Sequence, residues 1–152
     1  MNLSKTYFPK ASLANKKWFV IDAKEKTLGR LASQIIKIIS GKNKVYFTPF
    51  INCGDNVIVL NCSKVKVSKK KIKKKFYYKH SGYPGGLKKR NAKEILDMNC
   101  SKNIILSTIK GMLPKESKLS KQQIKNLYIY SNHSHPHNSQ QPVLIKVLKD
   151  KL

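Results

Sequence analysis

The 152-residue sequence predicts an α/β domain of three layers with a small, mostly parallel central sheet. Three observations carry this expectation. The apolar run Trp18–Ile21 is followed, after a turn, by apolar residues at helical spacing and then by the run Val57–Leu60, the order of a βαβ unit. Val57-Ile58-Val59-Leu60 is apolar at every position, as in a parallel strand covered on both faces. A last strand pattern, Leu127–Tyr130, follows two amphipathic helical stretches.

The elements follow in chain order. Residues 1–17 read as a basic, irregular arm without acids, and Trp18–Ile21 is a buried strand ending at Asp22. Thr27 stands as N-cap of a helix in which Leu28, Leu31, Ala32, Ile35 and Ile39 share a face. Gly41 closes that helix, with Lys37 and Lys42 at the negative end of its dipole. Thr48-Pro49 breaks the chain and Gly54-Asp55 turns it into Val57–Leu60. Val65-Lys66-Val67 alternates like a short, half-exposed strand. Ala92–Met98 reads as a short helix. A second amphipathic helix carries Ile104, Ile105, Thr108, Ile109 and Met112 and stops at Pro114. Leu119–Asn126 is one or two helical turns, Leu127–Tyr130 is a strand, and the rest is loop and basic tail. The division is thus an arm (1–17), a domain (18–142) with a basic insertion (64–90), and a tail (143–152).

Charge is the abnormal feature. There are 32 Lys and Arg against 7 Asp and Glu, a net +25. Self-repulsion at that density destabilises a compact chain and calls for a polyanionic partner. Arg30 and Arg90 are the only arginines. A lysine-dominated surface neutralises phosphates more than it reads bases, because the ammonium is a point charge without the guanidinium fork. Between Lys64 and Arg90 there are twelve cations and no acid, interleaved with Phe76-Tyr77-Tyr78 and Ser81-Gly82-Tyr83-Pro84-Gly85-Gly86. Lysines attract phosphates over distance and release counterions on contact. Tyr77, Tyr78 and Tyr83 suit stacking on bases, and bare glycine backbone admits close approach of a ribose–phosphate chain. The bland alternative is a solvated charged loop with tyrosines packed beneath it.

Other chemistries find less support. Gly41-Lys42 lacks the glycine and hydroxyl residues of a phosphate-binding loop, since Ile36 and Asn43 occupy those places. Cys53, Cys62 and Cys100 form no Cys-x-x-Cys pair, so neither a disulfide framework nor a thiolate zinc site is indicated. His133, His135 and His137 alternate, but Pro136 interrupts them and no Cys or carboxylate is near in sequence. Asp22 and Asp55 adjoin strands, where acids of α/β enzymes lie, yet an acid among lysines is more simply a turn or ion-pair residue. No apolar run approaches the length of a membrane span. No metal, cofactor, small-molecule substrate or membrane is expected.

Several blocks carry a resemblance. Asp22-Ala23 with Thr27-Leu28-Gly29-Arg30-Leu31-Ala32, and Gly54-Asp55 leading into Val57–Asn61, resemble the ribosomal protein L13 family of the large subunit in its bacterial and organellar form. So do Tyr77–Gly86, Lys110-Gly111-Met112-Leu113-Pro114-Lys115, and His135-Pro136-His137 with Gln140-Gln141-Pro142. The blocks run in family order over residues 18–142. The resemblance implies an α/β/α fold and a non-catalytic constituent of the large subunit. It further implies binding of large-subunit (23S-type) rRNA, support of early assembly, and contact with neighbouring ribosomal proteins. The residues expected on RNA are Lys42, Lys44, Lys69, Lys70, Lys71, Lys73, Lys74, Lys75, Tyr77, Tyr78, His80, Tyr83, Gly85, Gly86, Lys88, Lys89 and Arg90. Lys110, Lys115, His135, His137 and Gln140 complete the set. The chain departs from the family where Glu116–Lys121 replaces a Gly-Pro-Leu-Gly-Arg stretch and where Ser68-Lys69 replaces a Thr-Gly. Its Lys, Ile and Asn richness points to a plastid or an AT-rich bacterium. A free nucleic-acid-binding regulator and a small enzyme acting on nucleotides or RNA are the rival readings.

Overall fold

A computed structural model of the chain describes residues 16–97 and 101–145, with the side chains of all but Lys70, Lys71, Lys73 and Asp97. The expected arm up to residue 15, Met98 at the end of an expected helix, and residues 146–152 of the expected tail lie outside the described residues. In chain order the elements are β1 (Trp18–Asp22), α1 (Leu28–Ser40), β2 (Asn56–Leu60), α2 (Lys69–Lys74), β3 (Phe76–His80), β4 (Leu87–Asn91), α3 (Ala92–Asp97), α4 (Ser101–Met112), α5 (Lys118–Lys125), β5 (Leu127–Ile129) and β6 (Val143–Ile145).

Four strands form one sheet in the order β5-β2-β1-β6, every pair parallel. Val57 stands between Phe19 and Leu127, and Val59 between Ile21 and Ile129. Because side chains alternate across a strand, these residues share one face. There they pack with Leu31 and Ile35 of α1 and with Ile104, Ile105 and Ile109 of α4. The alternate residues, Val20, Ile58 and Leu60, gather with Trp18, Tyr128 and Tyr130 on the other face. The loop after β5 covers it: the His137 ring centroid lies 4.7 Å from Tyr128 and 5.2 Å from Trp18, and its Nε2 is 2.8 Å from the Tyr130 hydroxyl. Among the described residues the helices thus take one side of the parallel sheet and a loop takes the other.

The βαβ opening forms as its sequence predicts. Thr27 holds an extended backbone at the N-cap of α1, and Leu28, Leu31, Ala32, Ile35, Ile38 and Ile39 are buried along it. Gly41 at φ 78° reverses the chain, so that its N–H and that of Lys42 reach the carbonyls of Ile38 and Lys37, both at 3.0 Å. A Cβ there would stand 2.8 Å from the Cys53 backbone. Position 41 therefore needs glycine both for its left-handed φ and for closeness. Ser117 caps α5 through its Oγ, which accepts the Leu119 N–H at 3.2 Å.

Three expectations change. Val65–Val67 is no strand; Lys66 makes a single bridge to Thr27, for the chain turns directly from a 3₁₀ turn at Cys62–Lys64 towards α2. The tail does not begin at residue 143, because Val143–Ile145 forms β6 along β1, with Leu144 beside Val20. Three residues after a proline are too few to show a period. The basic insertion, given no regular elements beyond Val65–Val67 by its sequence, holds a helix (α2) and an antiparallel hairpin (β3–β4).

Candidate nucleic-acid interface

The hairpin pairs Phe76 with Asn91, Tyr77 with Arg90, Tyr78 with Lys89, Lys79 with Lys88 and His80 with Leu87. Alternation then sorts it into two faces. Tyr77, Lys79, Lys88 and Arg90 share one; Phe76, Tyr78, His80, Leu87 and Lys89 share the other. Tyr77 is half-buried against the core that α1 and α4 build, which fixes the base of the hairpin. Beyond it every residue up to Arg90 except Gly86 is exposed: Tyr78 is 61% accessible and Tyr83, at the tip, 74%. On the outer face the Lys89 Nζ sits 3.9 Å from the Phe76 ring centroid, a cation–π contact that holds the ammonium flat on the strand.

The tip is a glycine turn. Gly82 (φ 96°) and Gly85 (φ 72°) take left-handed backbone, and the Gly86 N–H donates to the Tyr83 carbonyl at 2.9 Å. His80 is tied into the turn, its Nδ1 accepting the Gly82 N–H at 2.9 Å. Behind the inner face a groove of about 570 Å³ opens between the hairpin and α4, walled by Tyr77, Lys79, Lys88 and Arg90 on one side and by Asn103 and Ser107 on the other. Lys79 and Lys88 face one another directly across the strands, an arrangement that destabilises a bare hairpin.

The expected residues divide by this geometry. Tyr77, Tyr78, His80, Tyr83, Gly85, Gly86, Lys88, Lys89 and Arg90 are brought together on the hairpin. Lys69, Lys74 and Lys75 lead into it from α2, and Lys75 lies 5.1 Å from the Tyr77 ring centroid. The side chains of Lys70, Lys71 and Lys73 lie outside those described. Lys42 is exposed just beyond α1, and Lys110 and Lys115 are exposed at the end of α4. At Gly111, between them, an added Cβ would meet nothing within 4 Å among the described residues. Gln140 is exposed, whereas His135 and His137 are half-buried, with His137 wedged among Trp18, Tyr128 and Tyr130.

Lys44 stands apart. Its Nζ is 2.6 Å from Asp55 Oδ1, with the Asp55 side chain almost fully enclosed and the Lys44 side chain 10% exposed. The same oxygen accepts the Lys17 N–H at 2.9 Å, tying the start of β1 to the loop before β2. Lys79, Asn103 and Ser107 were not among the expected residues. Reading Phe76–His80 as a strand puts Lys79 on the Tyr77 face, a signal present in the sequence; nothing in the sequence places α4 opposite it.

The two candidate catalytic acids have structural employment. Asp55 is the buried partner of Lys44. Asp22, at the end of β1, accepts the Lys24 N–H and the Asn61 Nδ2–H, each at 2.9 Å. Burial pushes its carboxyl up, but the Asn61 and Lys24 hydrogen bonds and the charges of His133 and Lys24 outweigh it and hold the group below its ordinary value. Cys62 donates its thiol proton to the Tyr130 carbonyl at 2.7 Å, and burial raises its pKa. Among the described residues no three His, Cys, Asp or Glu side chains converge as metal ligands would.

Comparison with known proteins identifies the family. The sequence model of the family described as Ribosomal protein L13 matches residues 16–136. The chain is 48% identical over 142 residues to the large ribosomal subunit protein uL13 of Lachnospira eligens, an alignment covering 93% of this chain and 99% of that one. It is 48% identical over 137 residues to that of Geobacillus kaustophilus, covering 90% and 93%. With that of Aquifex aeolicus it shares 47% over 143 residues, covering 94% and 98%.

Proposed function

The chain belongs to the ribosomal protein L13 family, as a bacterial-type structural constituent of the large ribosomal subunit and not an enzyme, and from that premise we propose that it binds large-subunit rRNA and supports early assembly of the subunit. The observation that carries the reading is the β3–β4 hairpin, with Lys79, Lys88, Lys89 and Arg90 exposed and no acidic residue between Lys64 and Arg90. In the reading, these cations neutralise phosphates of converging RNA strands. Tyr78 and Tyr83 offer exposed ring faces, and Lys42, Lys110 and Lys115 extend the cationic surface. The core holds these points in fixed relation, so that shape as well as charge selects the RNA. Lys44 is left out of the interface because Asp55 holds its ammonium. Neighbouring ribosomal proteins are the further partners, and the loop carrying exposed Val45 and Phe50 suits an apolar protein contact.

Affinity for large-subunit rRNA, measured by filter binding over a range of salt, tests the reading. The log–log slope should reach several units, at about 0.7–0.9 per phosphate contact. A slope near zero would remove charge neutralisation as the mechanism. Sedimentation at moderate salt should carry nearly all of the protein with the large subunit; a predominantly free pool would favour a regulator.

A further inference from the structure

We infer that the groove between the β3–β4 hairpin and α4 receives a single unpaired nucleotide of the RNA, a reading that rests on the RNA binding proposed above and assigns its chemistry at one place. The strand register puts Tyr77, Lys79, Lys88 and Arg90 on the face that walls the groove. Three cations therefore surround one opening, and none of its lining residues is acidic. Lys79 opposite Lys88 is an unfavourable pair until an anion stands between them.

A phosphate alone needs no more than this charge, but the far wall offers directed polar groups. The Asn103 amide and the Ser107 hydroxyl on α4, with the Ser81 hydroxyl at the turn, can donate to and accept from a base edge or a ribose. Tyr77, pinned against the core, supplies an immobile ring beside them. The volume, about 570 Å³, falls in the roughly 300–1,000 Å³ range of sites that enclose a small ligand. A paired base in an A-form helix cannot present its edges to such a groove; a bulged or looped-out one can.

The test uses the full chain and two hairpin RNAs of equal length, one fully paired and one with a single bulged 2-aminopurine. Fluorescence anisotropy at fixed salt should show the bulged RNA bound roughly tenfold more tightly, the worth of one stacked base, with quenching of the 2-aminopurine. Ser107→Phe, which fills the groove from an exposed position on α4, should abolish the preference and the quenching. Equal affinity for the two RNAs, or a preference that survives Ser107→Phe, overturns the groove assignment and leaves general RNA binding intact. Failure to bind either RNA removes the underlying reading together with it. Competition by a free nucleoside monophosphate at concentrations comparable to the RNA would make this a soluble-nucleotide site and overturn the assignment to RNA.

Discussion

β2 and β3 are both five-residue strands, and they are built for opposite purposes. Every residue of β2 is buried, while in β3 only Tyr77 is half-buried. Burying an aliphatic side chain contributes about 1.5–3 kcal/mol, so β2, flanked by β1 and β5, anchors the fold. A two-stranded hairpin is marginal alone. β3–β4 has its backbone ladder, the Lys89–Phe76 contact and its Tyr77 footing to set against mutual repulsion of its cations. The molecule separates its tasks. Buried apolar residues hold the shape, and charge is concentrated on an exposed hairpin.

Lys44 and Lys88 bring the contrast down to one residue type. Lys44→Met leaves Asp55 buried without its counter-ion, and breaking a buried pair costs about 3–5 kcal/mol. Urea unfolding should show that loss, the largest expected of any variant here. A stability change within 1 kcal/mol would mean that the Lys17 N–H alone satisfies the carboxylate. Changing Lys79, Lys88, Lys89 and Arg90 together to Gln should do the converse. The salt slope for rRNA binding should fall by about 3 units, while cooperative unfolding is kept and its midpoint does not drop. A midpoint loss like that of Lys44→Met would show that the hairpin is part of the core after all.

How these two regions show in the sequence follows from the same physics. Burial imprints a period, so β1, α1, β2, α4 and β5 can be read from apolar spacing, and Gly41 from helix-capping chemistry; Gly54-Asp55 makes no turn, and Gly54 is needed instead because a Cβ there would collide with the Ile39 carbonyl. In the hairpin both faces mix cations with aromatic or aliphatic residues and neither is buried, and Leu87-Lys88-Lys89-Arg90-Asn91 shows no alternation at all. Charge density marked the segment as one that cannot pack in the core, but not that it folds back on itself. β6 is fixed by the open edge of β1, a tertiary fact that three residues cannot signal. Lys44 looked like its neighbours because a buried partner eleven residues away leaves no local mark.

Gly111 gives a smaller test of the same division. Alanine is favoured over glycine inside a helix by about 0.5–1 kcal/mol, and its Cβ would touch nothing among the described residues. Gly111→Ala should therefore raise the unfolding midpoint of the free protein. If RNA lies against the Lys110–Lys115 corner, the same variant should incorporate less well into large subunits in a mixed-protein assembly assay. Unimpaired incorporation would take that corner out of the interface.

The smallest expected effect is a pH dependence, and it belongs to the core side alone, for the segment from Lys64 to Arg90 has no carboxyl to titrate. The folded Asp22 carboxyl lies below its ordinary value of 3.8, so between the two values the unfolded chain binds the proton and the folded one does not. The resulting stabilisation is present at neutral pH. It declines as acid protonates the unfolded carboxyl near 3.8 and is gone once pH has passed below the folded value. Asp22→Asn should flatten this part of the acid limb without altering the salt slope for RNA. Because Asp22 is largely exposed, solvent screens most of the effect, and thermal midpoints compared at closely spaced pH values are the suitable readout. An acid limb unchanged by the variant would remove Asp22 as its source.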